Sequence, residues 1–192
     1  RFENYYKAGK PYADELEIID FKDQTSRLAA LQSGQIDLAN GLANEHLRLV
    51  QADPKLQVLT SVTGNWLSFD MNLSQAPFND PRVREAFRLM ADRDELVARA
   101  LNGQGRVAND LYAPNDPTFN HSIAQRPYNL ERAKTLLREA GQEQLSVELV
   151  ADHDSGAVAS ALVFAEQAKR AGVDIRVRQV DSATFNGPQL TQ

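Results

Sequence analysis

Cysteine is absent from the 192 residues. Thiol nucleophiles, disulfides and cysteine zinc sites are therefore excluded together. Histidine occurs only three times. His46 and His121 stand alone, so no metal-ligand set is spelled out, and neither metal nor cofactor is expected. No apolar run approaches the ~20 residues of a membrane-spanning helix. Positive charge is not in excess: 21 Lys and Arg face 26 Asp and Glu, a net charge of −5. Nucleic acid, which needs clustered cations against phosphate, is not an expected partner. Arg1-Phe2-Glu3-Asn4 is not a charged-then-apolar leader, so an exported form would be processed or truncated. Repeats and low-complexity tracts are lacking. What remains is ordinary globular composition, 42% hydrophobic and 24% charged, at a length that fits one or two domains.

The patterning predicts an α/β chain. Short strands are expected at 16–21 and 36–39, and alternation of Leu56, Val58, Thr60 and Val62 predicts another. A helix at 25–33 should end at Gly34, and Asn44 should cap a helix that Asp53-Pro54 stops. After Gly64-Asn65 a strand is expected with Leu67, Phe69 and Met71 facing a core and Trp66 facing outward. Asp80 with Pro81 is a strong helix start, followed by Val83, Ala86, Phe87 and Met90 on one face. A further helix at 93–101 buries Leu96, Val97, Ala100 and Leu101. Residues 102–129 form a long loop with three prolines. Asn129 caps the next helix, with Leu130, Ala133, Leu137 and Ala140 inward. Then come a strand (Leu145, Val147, Leu149), a helix at 156–171 burying Val158, Ala161, Leu162 and Ala165, and a strand (Val173, Ile175, Val177). Strand, helix, strand in that order reads as a right-handed parallel crossover. The tail at 181–192 has little apolar content, so part of the native domain is expected to be missing.

Few residues suggest chemistry. Ser155-Gly156 lacks the glycine of a nucleophile elbow. Gly64, Gly103 and Gly105 match no dinucleotide or phosphate loop. Carboxylate pairs such as Asp92 and Asp94 sit at helix starts, where the dipole favours them. Asp152-His153-Asp154 lies between a strand and a helix, where α/β folds place ligands. Three consecutive side chains diverge and cannot share one metal, and cap preferences favour a polar turn whose Asp154 or Ser155 caps the helix. Trp66 is either a stacking residue beside a domain crossing or a rim residue covering core edges. Asn40-Gly41-Leu42 follows a strand; it is a ligand-contacting turn or a plain tight one.

Several segments, in order, resemble one family. Asn4-Tyr5-Tyr6-Lys7-Ala8-Gly9-Lys10-Pro11-Tyr12 resembles N-x-Y-W-x-G-K-P-Y of the family 5 extracellular solute-binding proteins of bacterial ABC transporters (the oligopeptide, dipeptide and nickel type). The run from Arg27 through Ser33-Gly34-Gln35-Ile36-Asp37 is similar to R-x-x-A-L-x-S-G-E-I-D. The stretch Phe69-Asp70-Met71-Asn72 through Pro77-Phe78-Asn79-Asp80-Pro81-Arg82-Val83-Arg84, continuing to Asp92-Arg93-Asp94-Glu95-Leu96-Val97, resembles F-N-x-x-x-x-P-F-x-D-x-R-V-R and A-I-D-R-x-x-L-V. Asp70 and Phe87 depart from the pattern without disturbing the fold.

The resemblance implies a type II periplasmic-binding-protein-like fold and an internal fragment of it. Residues 1–62 would close lobe one and 63–192 would form part of lobe two, with a hinge crossing near 62–66. It implies capture of an oligopeptide or similar small solute in an interlobe cleft by hinge closure, without catalysis. The implied ligand residues are Asn40, Gly41, Leu42, Asn65, Trp66, Asp152 and His153. The implied partners are the solute and the importer's membrane subunits. The implied location is periplasmic or extracellular, with a lipid anchor outside this chain. A sensor domain of a regulator, or a hydrolase using Asp152 and His153, is the alternative. Taken alone, the chain is expected to fold yet bind its solute poorly.

Overall fold

The computed structural model describes residues 5–61, 63–111, 113–152 and 156–187. They separate into two compact units, Arg1–Gly41 and Leu42–Gln192.

The smaller unit contains one helix, α1 (Gln24–Ser33). Asp23 caps it by accepting from the Ser26 N–H at 2.8 Å. Gly34 ends it at φ +76, a backbone that costs a residue with Cβ strain but not glycine. Neither 16–21 nor 36–39 is a strand. Alternation alone does not make a strand: the ladder needs a neighbour, and the described residues supply none. Ile18 is left 81% exposed.

In the larger unit a 3₁₀ turn (Asn44–His46) leads into α2 (Leu47–Ala52). Asn44 is not the expected cap. It lies inside the turn, and its carbonyl accepts from Asn102 Nδ2 at 3.1 Å. The stretches 56–61 and 67–71 also run without ladder partners, for the reason given above, and Val62 lies outside the described residues. Phe69 stacks on Phe164, ring centroids 4.5 Å apart, and Met71 packs on the core. Leu67, one step earlier on the same face, is beyond the edge of that core and 44% exposed.

Helix α3 (Pro81–Met90) starts as its sequence dictates. Asp80 accepts from the Arg82 N–H at 2.8 Å, and Pro81 occupies the first turn. Val83, Ala86, Phe87 and Met90 are buried. Arg82 also donates to the Glu139 carbonyl at 2.6 Å, tying the start of α3 to the end of α5 (Leu130–Glu139). Helix α4 (Arg93–Ala100) is capped by Asp92, and α5 by Asn129. Only Ala100 of the expected α4 face is fully buried, because this short helix rests on α6 along one narrow stripe. The loop between α4 and α5 is pinned, not loose. Asn109 bonds the Ile123 and Ala124 carbonyls and the Arg126 N–H, and Asp110 sits between Arg93 and Arg126.

Strand β1 (Ser146–Asp152), helix α6 (Ala157–Arg170) and strand β2 (Asp174–Val180) form a parallel crossover. Ser146 lies beside Asp174 and Asp152 beside Val180. A four-residue helix, α7 (Ser182–Phe185), follows. Whether Asp154 or Ser155 caps α6 lies outside the described residues. Helix α6 is buried on two sides. Ala161, Phe164, Ala165 and Ala168 lie on one stripe, while Ser160, Val163 and Gln167 lie about 100° further round. Leu162 points away from both and is 52% exposed, contrary to expectation. The core joins Phe164, Ala165 and Ala168 of α6 to α3, α5 and Leu145, Val173 and Ile175. Six of its fifteen buried members are alanines: Ala86, Ala91, Ala133, Ala165, Ala168 and Ala171.

Candidate functional site

In the smaller unit the chain returns from α1 to an exposed turn at Asn40 and Gly41. Gly41 has φ +62, which requires its lack of a side chain. Arg27, on α1, reaches this turn. Its Nη1 donates to Asn40 Oδ1 and its Nη2 to the Gly41 carbonyl, each at 3.5 Å.

The remaining sequence-predicted residues belong to the larger unit. Leu42 is half-buried, and Asn65 is exposed with its N–H donating to Thr63 Oγ1 at 3.3 Å. Trp66 is 60% exposed, as the alternation predicts. Asp152 ends β1, and both its carboxylate oxygens accept from the Ser182 hydroxyl at 2.9 Å. Asp181 caps α7 beside it through the Thr184 N–H. Asp152 is thus held by the element after β2, a link no sequence spacing reveals. His153 lies outside the described residues.

Two other polar features of this unit were not foreseen. The first joins α4 to α6. Gln167, 0% exposed, accepts from the Asp92 N–H at 3.1 Å and donates to the Asp92 carbonyl at 3.0 Å and to Glu95 at 2.9 Å. Arg170 grips both oxygens of Glu95 (3.1 and 3.0 Å), and Arg99 bridges Glu95 and Glu166. These contacts, Arg170 first and then Arg99 and Gln167, hold the Glu95 carboxyl down at about 2. A carboxyl held low in the folded state stabilises it above the ordinary glutamate range, and that contribution fades as pH falls toward 2. Glu95→Gln should therefore be less stable than wild type at neutral pH. The gap should close between about pH 4.5 and 2, which thermal unfolding at stepped pH would measure.

The second is an open depression of about 220 Å³ in the loop between α4 and α5, lined by Arg106, Phe119 and His121 among others. The Asn109 side chain on its wall is already committed to the Ile123 and Ala124 carbonyls and the Arg126 N–H. Among the described residues no three His, Asp or Glu side chains gather as metal ligands. Nor is any helix long and apolar enough to cross a membrane.

Comparison with known proteins agrees with this architecture. The chain is 28% identical over 184 residues to the glutathione-binding protein GsiB of Pectobacterium atrosepticum, covering 95% of this chain and 36% of that protein. It is 34% identical over 139 residues to heme-binding protein A of Haemophilus influenzae, 72% of this chain and 25% of that one. The chain therefore spans little more than a third of these relatives at most. Among solved structures it resembles AgaA of A. tumefaciens R10, bound to agropinic acid, with TM-score 0.77, 26% identity and coverage of 96% and 38%. It also resembles in fold NikZ of Campylobacter jejuni, bound to Ni(L-His), with TM-score 0.78, 21% identity and coverage of 85% and 36%. The fold is thus that of part of a type II periplasmic binding protein. The model of the bacterial extracellular solute-binding proteins, family 5 (middle part), matches residues 1–191, and the chain belongs to that family.

Proposed function

We propose that the protein is the extracytoplasmic solute-binding component of an ABC importer, binding a peptide or a similarly small polar solute. The observation that carries this reading is the family match along almost the whole chain. Relatives named for glutathione and heme, and structures holding agropinic acid or nickel–histidine, have in common a small ligand bearing carboxylates. Fold alone does not choose among such ligands.

The work is capture and release, with no bond broken, so no activated nucleophile is needed. Asn40 and Gly41 contribute a turn that lets a ligand backbone approach closely. Leu42, Asn65, Trp66, Asp152 and His153 are proposed as ligand residues of the larger unit. Trp66 offers an exposed indole for stacking, and Asp152 a carboxylate already fixed in direction by Ser182. The chain is proposed to cross between lobes near 62–66, where Gly64-Asn65 breaks the alternation, so that lobe closure acts as a hinge. The partners are the importer's membrane subunits. The location is the periplasm or cell exterior, held by a lipid anchor.

Calorimetric titration of the intact protein tests this. The probes are glutathione, a di- to pentapeptide pool, heme and Ni(II)–histidine. Saturable micromolar or tighter binding of one class is expected, weakened in Asn40→Ala. Failure of all four to bind would overturn the functional assignment, whereas an Asn40→Ala protein of unchanged affinity would remove the Asn40–Gly41 turn from the site.

A further inference from the structure

We propose that Arg27 is a positioning residue that fixes the hydrogen-bonding polarity of the Asn40–Gly41 turn, so that the turn takes an acceptor group of the ligand, a carbonyl or carboxylate oxygen, and not an ammonium. The inference rests on the assignment of that turn to the ligand site.

A guanidinium has donors and no acceptor. The group that Asn40 turns toward Arg27 must therefore be its carbonyl oxygen, as found at 3.5 Å. Placement of the amide is dictated by the chemistry of its neighbour. The Nδ2 amide is then the polar atom left over, and it donates to nothing among the described residues. The Gly41 carbonyl likewise faces Arg27 Nη2. With the Asn40 side-chain oxygen and the Gly41 carbonyl turned to Arg27, the side-chain group that the turn presents outward is a donor.

Charge points the same way. The oxygens that Arg27 meets are both neutral, and no carboxylate pairs with it among the described residues. Its positive charge is therefore not cancelled locally and adds to the pull on an electronegative ligand atom. At 3.5 Å both contacts are longer than an ordinary N–H···O bond. Their effect is to orient the amide and contributes little to the stability of the exposed turn.

The test uses the intact protein and the probe that binds in the titration above. Asn40→Asp keeps an oxygen for Arg27 but replaces the outward donor by an acceptor and cancels the charge. Its affinity should fall about tenfold or more, at least as far as that of Asn40→Ala. Arg27→Gln should weaken binding severalfold with an unchanged unfolding temperature, and should have a clearly smaller effect in the Asn40→Ala background, where only its charge is left to act. If Asn40→Ala weakens binding while Asn40→Asp binds as wild type or better, the polarity is wrong and the site survives. If Arg27→Gln acts equally in both backgrounds, or only by lowering the unfolding temperature, Arg27 is merely structural and the inference falls. An Asn40→Ala protein of unchanged affinity removes the site itself.

Discussion

Phe164→Ala should destabilise the protein by about 3–5 kcal/mol, the cost of emptying a buried aromatic site that its surroundings cannot collapse to fill. Phe164 is buried on α6 between two other rings. Phe69 is stacked on it at 4.5 Å, and Phe87 meets it edge-on at 6.2 Å. The stack is also what holds the strandless stretch near Trp66 to the core. Urea unfolding should show the loss, with a smaller one for Phe164→Leu, which retains most of the volume. Proteolysis near Leu67 should quicken in the alanine variant. A loss below about 1 kcal/mol would mean that the stack is not part of the core.

Gln167→Leu should cost about 1–3 kcal/mol, although leucine is the more hydrophobic side chain. The amide satisfies the backbone N–H and carbonyl of Asp92 and one oxygen of Glu95. Leucine would leave the Asp92 N–H without a partner where water has little access, while the Asp92 carbonyl keeps the Leu96 N–H and Glu95 keeps its arginines. Gln167→Glu is the sharper probe. It retains an acceptor for the Asp92 N–H but sets a second carboxylate against Glu95. Its deficit should be largest at neutral pH and shrink on acidification, as the added carboxyl takes up a proton. A pH-independent deficit, measured by thermal unfolding, would count against that contact.

What could be read in advance follows from how local each cause is. The starts of α3, α4 and α5 depend on Asp80, Asp92 and Asn129 meeting N–H groups two or three residues ahead, and these were readable. The β1–α6–β2 crossover was readable too, because its strands carry their own partners. The segments 16–21, 36–39 and 67–71 carry a strand-like pattern without being strands, because alternation describes a face and says nothing about a neighbour. Gln167 was missed for a similar reason. On a helical wheel it falls at the edge of the apolar stripe, where a glutamine usually faces water. Its partner lies 75 residues away. Arg27 was visible in the sequence as part of a family pattern, but its reach to Asn40 and Gly41 depends on how the chain folds back after Gly34. The position of Asp152 at the end of β1 was predicted, and the Ser182 hydroxyl that holds it was not.

The alanines of the core give it a lopsided tolerance. A side chain of one methyl has almost nothing to lose, so trimming Ala133 or Ala168 removes little volume. Each is fully enclosed, however, and sits where α5 or α6 lies close against its neighbours. Extra methylenes there have no void to enter and must push whole helices apart. Drift at these positions is therefore lopsided: glycine costs about 1 kcal/mol of helix propensity, while any larger residue must displace a helix. The large side chains around them, Met90, Leu136 and Phe164, are vulnerable in the opposite direction.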